Sequence, residues 1–249
     1  MRTRSAMPSS LVVTAPPSPK APRFLDGKNE NVAAAPSDPA RPCSLSSAGR
    51  PGALGTIATF SFFPSKNLGA FGDGGAVVTS DDDVADRVRM LRFHGSRDKQ
   101  TFELVGHNSR LDELQAGILR VQLPHLETWA DGRRRAAAHY RDEGLGELVD
   151  LPLPVNGCEP AWHLYVIRHE RADELAAALK AAAIGHKAYY RVPTHLQPAM
   201  RDYAPDGDLP GTTEAARTHL AIPMSAVLSR EQAAEVVAAV RDAGLGRPH

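Results

Sequence analysis

The sequence predicts an α/β fold of two units, preceded by a proline-rich segment without regular structure. Three observations predict it. From Gly55 onward, short β-branched and aromatic runs alternate with helical apolar periods. A glycine-rich turn joins the first two of those runs, and nine of the twenty prolines fall within the first 51 residues, mixed with Ser and Ala. At 249 residues, 42% apolar and 23% charged, the chain is long enough for one large domain or two small ones.

The elements follow in order. Residues 1–51 hold no helical or strand period beyond a few residues and are expected to be disordered, with ordered chain beginning near Gly52. Thr56 to Phe62 and Gly75 to Thr79 read as buried strands flanking the turn from Gly69 to Gly75. Ser80 with Asp83 three residues on resembles a capping box, opening a helix whose inner face is Val84, Val88 and Leu91 and which Gly95 ends. A longer helix is expected from near Arg110, with Leu111, Leu114, Ile118 and Val121 in line, and Pro124 either kinks it or starts the next one. The second unit has a strand at Leu164 to Ile167, a helix at Ala172 to Ala183 closed by Gly185, and a strand near Ala188 to Tyr190. Ser229 caps the last helix, with Gln232 completing the box and Ala233, Val236, Val237 and Val240 facing inward. We place the domains at 1–51 (disordered), 52–145 and 146–249.

Composition excludes several functions. Twenty-nine basic residues balance twenty-nine acidic ones, so no overall field would hold a phosphate backbone or an anionic membrane surface. No apolar run approaches the roughly 18 to 20 residues of a spanning helix, and Leu11-Val12-Val13 is too short for a signal-peptide core, so a cytoplasmic protein is expected. Cys43 and Cys158 stand far apart, outside any zinc or disulfide pattern, and His163, His186 and His195 lack metal-ligand spacing; no metal is expected. Arg133-Arg134-Arg135 lies in a helical stretch with acids nearby and reads as a solvated face or interface. The turn Gly69 to Gly75 lacks the G-x-G-x-x-G order of a dinucleotide site.

The chemistry concentrates in Phe60-Ser61-Phe62-Phe63-Pro64-Ser65-Lys66-Asn67-Leu68-Gly69. A strand running into a proline turn can hold one lysine over a pocket, with a hydroxyl at the strand's end. A lysine amine forms imines only when neutral, a state that partial desolvation favours.

The run Ser61 to Gly75 resembles the cofactor-lysine segment of the DegT/DnrJ/StrS-type sugar aminotransferases. Arg92-Phe93-His94-Gly95-Ser96, then Gly106 to Ala116 with Asn108-Ser109-Arg110-Leu111-Asp112, then His163-Leu164-Tyr165-Val166, and finally Ala221-Ile222-Pro223-Met224 are similar to that family in order and spacing. The resemblance covers about residues 49 to 244. It implies part of a fold-type I large domain, a small C-terminal α/β domain, and pyridoxal 5'-phosphate as cofactor. It places the Schiff-base lysine at Lys66, a cofactor-phosphate ligand at Ser61, and at Asn108 an asparagine that reaches the phosphate in the neighbouring subunit of a homodimer. Tyr190, Pro193 and His195 resemble a segment lining the sugar site, which makes Tyr190 and His195 substrate-binding candidates. The implied reaction is transfer of an amino group, from glutamate as donor, to a nucleotide-linked ketosugar. A lysine at position 66 favours transamination, since relatives with histidine there are dehydratases.

The front of the chain departs from the pattern. Relatives carry more protein before the lysine segment, including most of a parallel sheet and an aspartate that pairs with the pyridine nitrogen. Asp38 lies near that aspartate's distance from the lysine but has none of its neighbours, so we read it as coincidence. The chain is expected to be an N-terminally truncated member, and the alternative to an active transaminase is an inactive remnant or partner-binding fragment.

Overall fold

The computed structural model describes residues 10–14, 57–79, 81–154 and 159–246. Contacts divide the chain into two units, one running to Leu126 and the other comprising Glu127–Pro154 and Glu159–His249. Most of the segment expected to be disordered, together with the Gly52 boundary, Asp38 and both cysteines, lies outside the described residues.

Within that segment, however, Ser10–Thr14 forms a strand, β1. It belongs to a three-stranded sheet with β2 (Ile57–Ser61) and β3 (Gly75–Thr79), in the order β1-β3-β2. Both neighbours pair antiparallel with β3, Ser10 and Ile57 each opposite Thr79, Thr14 and Ser61 each opposite Gly75. Leu11-Val12-Val13-Thr14 has the branched residues that a pleated strand favours, but five residues are too few to display a period.

Helix α1 (Asp82–Leu91) follows β3 and buries Ala85 and Met90. Its cap is Asp81, whose carboxylate accepts from the amides of Asp83 at 3.0 Å and Val84 at 3.1 Å. Ser80, the expected cap, lies outside the described residues. An aspartate in that place satisfies two of the orphan first-turn donors and also complements the helix dipole. Helix α2 (Glu113–Gln122) begins three residues later than the pattern suggested, because Asp112 takes the cap and accepts from Gln115 N at 2.8 Å. Its apolar stripe is a correction to the sequence reading. Leu119 is the buried residue of this helix, whereas Leu114 is 77% and Val121 71% exposed. Pro124 sits in a 3-10 turn, Leu123–His125, which leads into α3 (Leu126–Asp142).

In the second unit, β4 (Tyr165–Arg168) pairs antiparallel with β5 (His219–Ile222), Tyr165 opposite Ile222. Helices α3, α4 (Ala172–Ala181) and α6 (Arg230–Asp242) enclose the strands, and α5 (Pro210–Thr218) leads directly into β5. The core joins Tyr140, Leu145, Tyr165, Ile167, Leu175, Leu179, Leu220 and Ile222 to Ala233, Val236, Val237 and Val240 of α6. Tyr140 stacks on Tyr165 with centroids 5.3 Å apart, and its hydroxyl donates to Pro223 O at 2.6 Å. Burial raises the phenol pKa of Tyr140 well above its ordinary value. Gly132 lets α3 approach the chain after β5, since a Cβ there would stand 2.1 Å from Ala226 O. The neighbouring Arg133 Nη1 donates to Trp162 O at 3.0 Å and more distantly to Met224 O, so this member of the arginine triplet is a structural clip.

The final helix is as read: Ser229 accepts from Gln232 N, and the Gln232 side chain returns the bond to Ser229 N. The strand expected near Ala188 to Tyr190 is reduced to one bridge, Lys187 to Ala221, closed by two backbone hydrogen bonds of 3.0 and 2.8 Å. Strand β5, with four consecutive buried residues, offers no alternation by which to recognise it.

Candidate functional site

Lys66 lies on the loop that leaves β2. Phe62 closes this loop from both sides, its amide donating to Gly74 O and its carbonyl accepting from Ala70 N, both at 2.8 Å. Inside that closure, Pro64 and Ser65 reverse the chain, and Lys66 N donates to Phe63 O at 2.8 Å. Ser61 stands at the end of β2, exposed, with its hydroxyl accepting from Phe63 N at 3.3 Å; Lys66 is half-buried. One glycine is required here: a Cβ on Gly69 would meet Pro64 O at 2.4 Å, backbone that cannot yield, whereas one on Gly74 would meet only the end of the Leu111 side chain at 2.9 Å. The glycine-rich run therefore makes a tight fold of backbone on backbone, as its lack of dinucleotide spacing suggested.

The segment from Asn108 into α2 runs beside this loop. Leu111 packs on Gly74, and Gln115 Oε1 accepts from Phe71 N at 2.7 Å. Asn108 is held by a bridge to Phe93, within a series of backbone bonds: His94 N to His107 O, His107 N to Leu91 O and Ser109 N to Arg92 O. Gly95 makes this crossing possible. Its φ is +81°, and a Cβ would stand 1.7 Å from Leu104 O. Arg110 Nε donates to Asn108 Oδ1 at 3.0 Å, while the Arg110 guanidinium lies 5.6 Å and Lys99 Nζ 4.8 Å from the centre of the Phe93 ring.

Ser61, Lys66 and Asn108 thus belong to one unit, on two segments that touch. Tyr190 and His195 belong to the other unit. Tyr190 is 69% exposed, and His195 sits half-buried in the turn Thr194–Leu196. The sequence reading assigned nothing to Arg110 or Gln115. For Arg110 the signal was available: two residues apart in extended chain, Asn108 and Arg110 point to the same side. Gln115 became visible only once Phe71 was placed beside it.

The donor set suits a phosphorylated aldehyde. An amine can bond its carbonyl carbon, and hydroxyl and amide donors on adjoining segments can take phosphate oxygens. Among the described residues, no group of three or more His, Cys, Asp or Glu could hold a metal ion, and no helix is long and apolar enough to cross a membrane. A cavity of about 380 Å³ lined by Arg89, Arg92, Phe93 and Arg97 is basic in outline, yet Asp86 pairs with both Arg89 at 2.8 Å and Arg97 at 3.4 Å. Those guanidinium groups hold the Asp86 carboxyl below its ordinary pKa, so part of the cavity's charge is already met.

Residues 37–241 match the DegT/DnrJ/EryC1/StrS aminotransferase family. The dTDP-3-amino-3,4,6-trideoxy-alpha-D-glucose transaminase of Streptomyces venezuelae is 49% identical over 196 residues, covering 78% of this chain and 52% of the relative. A pleiotropic regulatory protein of Geobacillus stearothermophilus is 46% identical over 190 residues, covering 75% and 51%. Among solved structures, S. venezuelae DesV in complex with a ketimine intermediate superposes with a TM-score of 0.72 at 47% identity, over 78% of this chain and 53% of that one. The chain spans about half the length of the curated relatives it matches. The lysine loop, the crossing at Gly95 and the four ordered motifs thus belong to one lineage, and the chain is a member of the DegT/DnrJ/EryC1/StrS aminotransferase family.

Proposed function

We propose that this chain serves the transamination of a nucleotide-linked ketosugar with pyridoxal 5'-phosphate as cofactor, glutamate as amino donor and Lys66 as the residue bonded to the cofactor. The observation that supports this reading is the closed loop from Phe62 to Gly74, which presents Lys66 beyond the Ser61 hydroxyl inside a family of aminotransferases. The 3-amino sugar in the name of the S. venezuelae relative favours a ketone at the sugar's 3-position.

Bound pyridoxal phosphate would supply an electron sink for the carbon that exchanges nitrogen. The protein's own residues do the rest. Lys66, once displaced by the donor's amine, is the base that removes the proton from the donor carbon and returns it to the cofactor's side. The same amine reverses that transfer for the sugar. Ser61 donates its hydroxyl to a phosphate oxygen, and Asn108 donates its amide to the phosphate in a partner subunit, so the reading requires a homodimer. Tyr190 and His195 contact the sugar. The setting is the cytoplasm.

A second reading, a family fragment that binds a partner and has lost its own catalysis, is favoured by the apolar side chains that the first unit exposes, Phe71 at 80% and Leu114 among them. One experiment separates the two. With pyridoxal phosphate added, the purified protein should develop a visible absorbance band, and borohydride should then fix the label on Lys66 and not on Lys187. Turnover of glutamate to 2-oxoglutarate with a nucleotide ketosugar, abolished in Lys66→Ala, would establish the enzyme. Labelling of Lys66 without turnover favours the fragment, and labelling elsewhere ends the Lys66 assignment.

A further inference from the structure

We propose that Arg110 is a positioning residue that turns the Asn108 amide so that Nδ2 faces outward as the donor for an anionic oxygen. The inference deepens the reading of Asn108 as a phosphate ligand and rests on it. A guanidinium has five donors and no acceptor, so the Asn108 atom within 3.0 Å of Arg110 Nε must be the oxygen. An amide is planar, with its two polar atoms on opposite sides, so fixing Oδ1 fixes Nδ2. Among the described residues Asn108 Nδ2 makes no hydrogen bond.

Three contacts form a closed circuit that holds this orientation. The Asn108 backbone bridges to Phe93, the Phe93 ring carries the Arg110 guanidinium at 5.6 Å, and Arg110 returns to the Asn108 side chain. Arginine is suited to that place because its flat, weakly hydrated head stacks on an aromatic face while Nε donates in the plane. No carboxylate pairs with Arg110 among the described residues, and Lys99 on the same ring adds positive charge. An amide left to rotate would offer its oxygen to an anion about as readily as its nitrogen, and the oxygen repels it.

The test reads the amide itself as well as the cofactor. In isotope-labelled protein, the Asn108 side-chain amide resonances are identified by their loss in Asn108→Ala. Arg110→Met, which keeps length and removes donors, is expected to move them, whereas Phe93→Tyr leaves them in place. Pyridoxal phosphate titrated into the same proteins should bind about tenfold more weakly to Arg110→Met and to Asn108→Ala alike, the size of one charge-assisted hydrogen bond. The double variant should be no weaker than either, because both changes remove one unit. Asn108 resonances that stay put in Arg110→Met overturn the proposal, as does a double variant weakened by the product of the two single effects. Unchanged cofactor binding in Asn108→Ala instead defeats the phosphate reading, and the resonances then decide alone whether Arg110 holds the amide. Should Arg110→Met fail to fold, Phe93→Leu replaces it, with the same movement expected and the same overturning result.

Discussion

The last helix of the second unit and the second helix of the first carry similar apolar stripes with opposite fates. In α6, Ala233, Val236, Val237 and Val240 are all buried against β4, β5 and α4. In α2, Leu114 and Val121 stand in the open, and only Leu119 is buried. The period of a sequence identifies a face that can be buried, but burial needs a neighbour. The second unit closes a core with its own residues. The first uses its helices and loops to hold Lys66 and Asn108 in place and leaves aromatic and aliphatic side chains exposed.

That contrast can be broken by experiment, most severely at the centre of the second unit. Tyr140→Ala removes a fully buried ring that stacks on Tyr165, and we expect a loss of about 3 to 5 kcal/mol in denaturant unfolding. A loss under about 1 kcal/mol would mean that this core is not the stabilising one. Gly132→Val ranks next. Its side chain collides with the backbone at Ala226, where nothing flexible can yield, and a cost of about 1 to 3 kcal/mol should appear as a lowered melting temperature.

Tyr140→Phe sharpens the comparison through pH. Burial raises the folded-state pKa of Tyr140 above its ordinary value of 10.0, so below that value both states keep the proton and the contribution is complete. As pH rises past 10 the unfolded chain loses its proton while the folded chain retains it, and stability falls. The phenylalanine variant should lose about 1 kcal/mol at neutral pH, for the bond to Pro223, and show a shallower decline above pH 10. Equal alkaline slopes in the two proteins would assign the decline to other groups, Tyr165 first, whose phenol burial also raises. Ser229→Ala should cost about 1 kcal/mol by the same unfolding measurement, since it removes the hydroxyl that accepts from Gln232 N and leaves only the bond from the residue 229 backbone amide to the Gln232 side chain. The smallest effect is expected at Leu114→Ser, within about 0.5 kcal/mol of the parent; a large loss there would show that its face is covered in solution.

Much of the fold, including the turn that carries Lys66, was legible because the relevant interactions are short in sequence. The Ser229 box spans four residues, and the turn between β2 and β3 declares itself by its glycines. The misreadings arise where the partner is distant. Strand β1 acquires its identity from β3, more than sixty residues away by number, and the second strand of the small sheet is β5, not the run near Tyr190. Gln115 gains its role from Phe71, which no local window contains, whereas Arg110 meets Asn108 two residues away and draws only its stacking partner, Phe93, from further along the chain.

By itself the sequence determined the family and the capped start of α6, because each depends on residue types at fixed short spacings. Tertiary structure decided which apolar faces are covered, which strands pair, and that Gln115 meets Phe71. Those outcomes depend on surfaces meeting across the chain, where desolvation and donor geometry act between residues that share no local pattern.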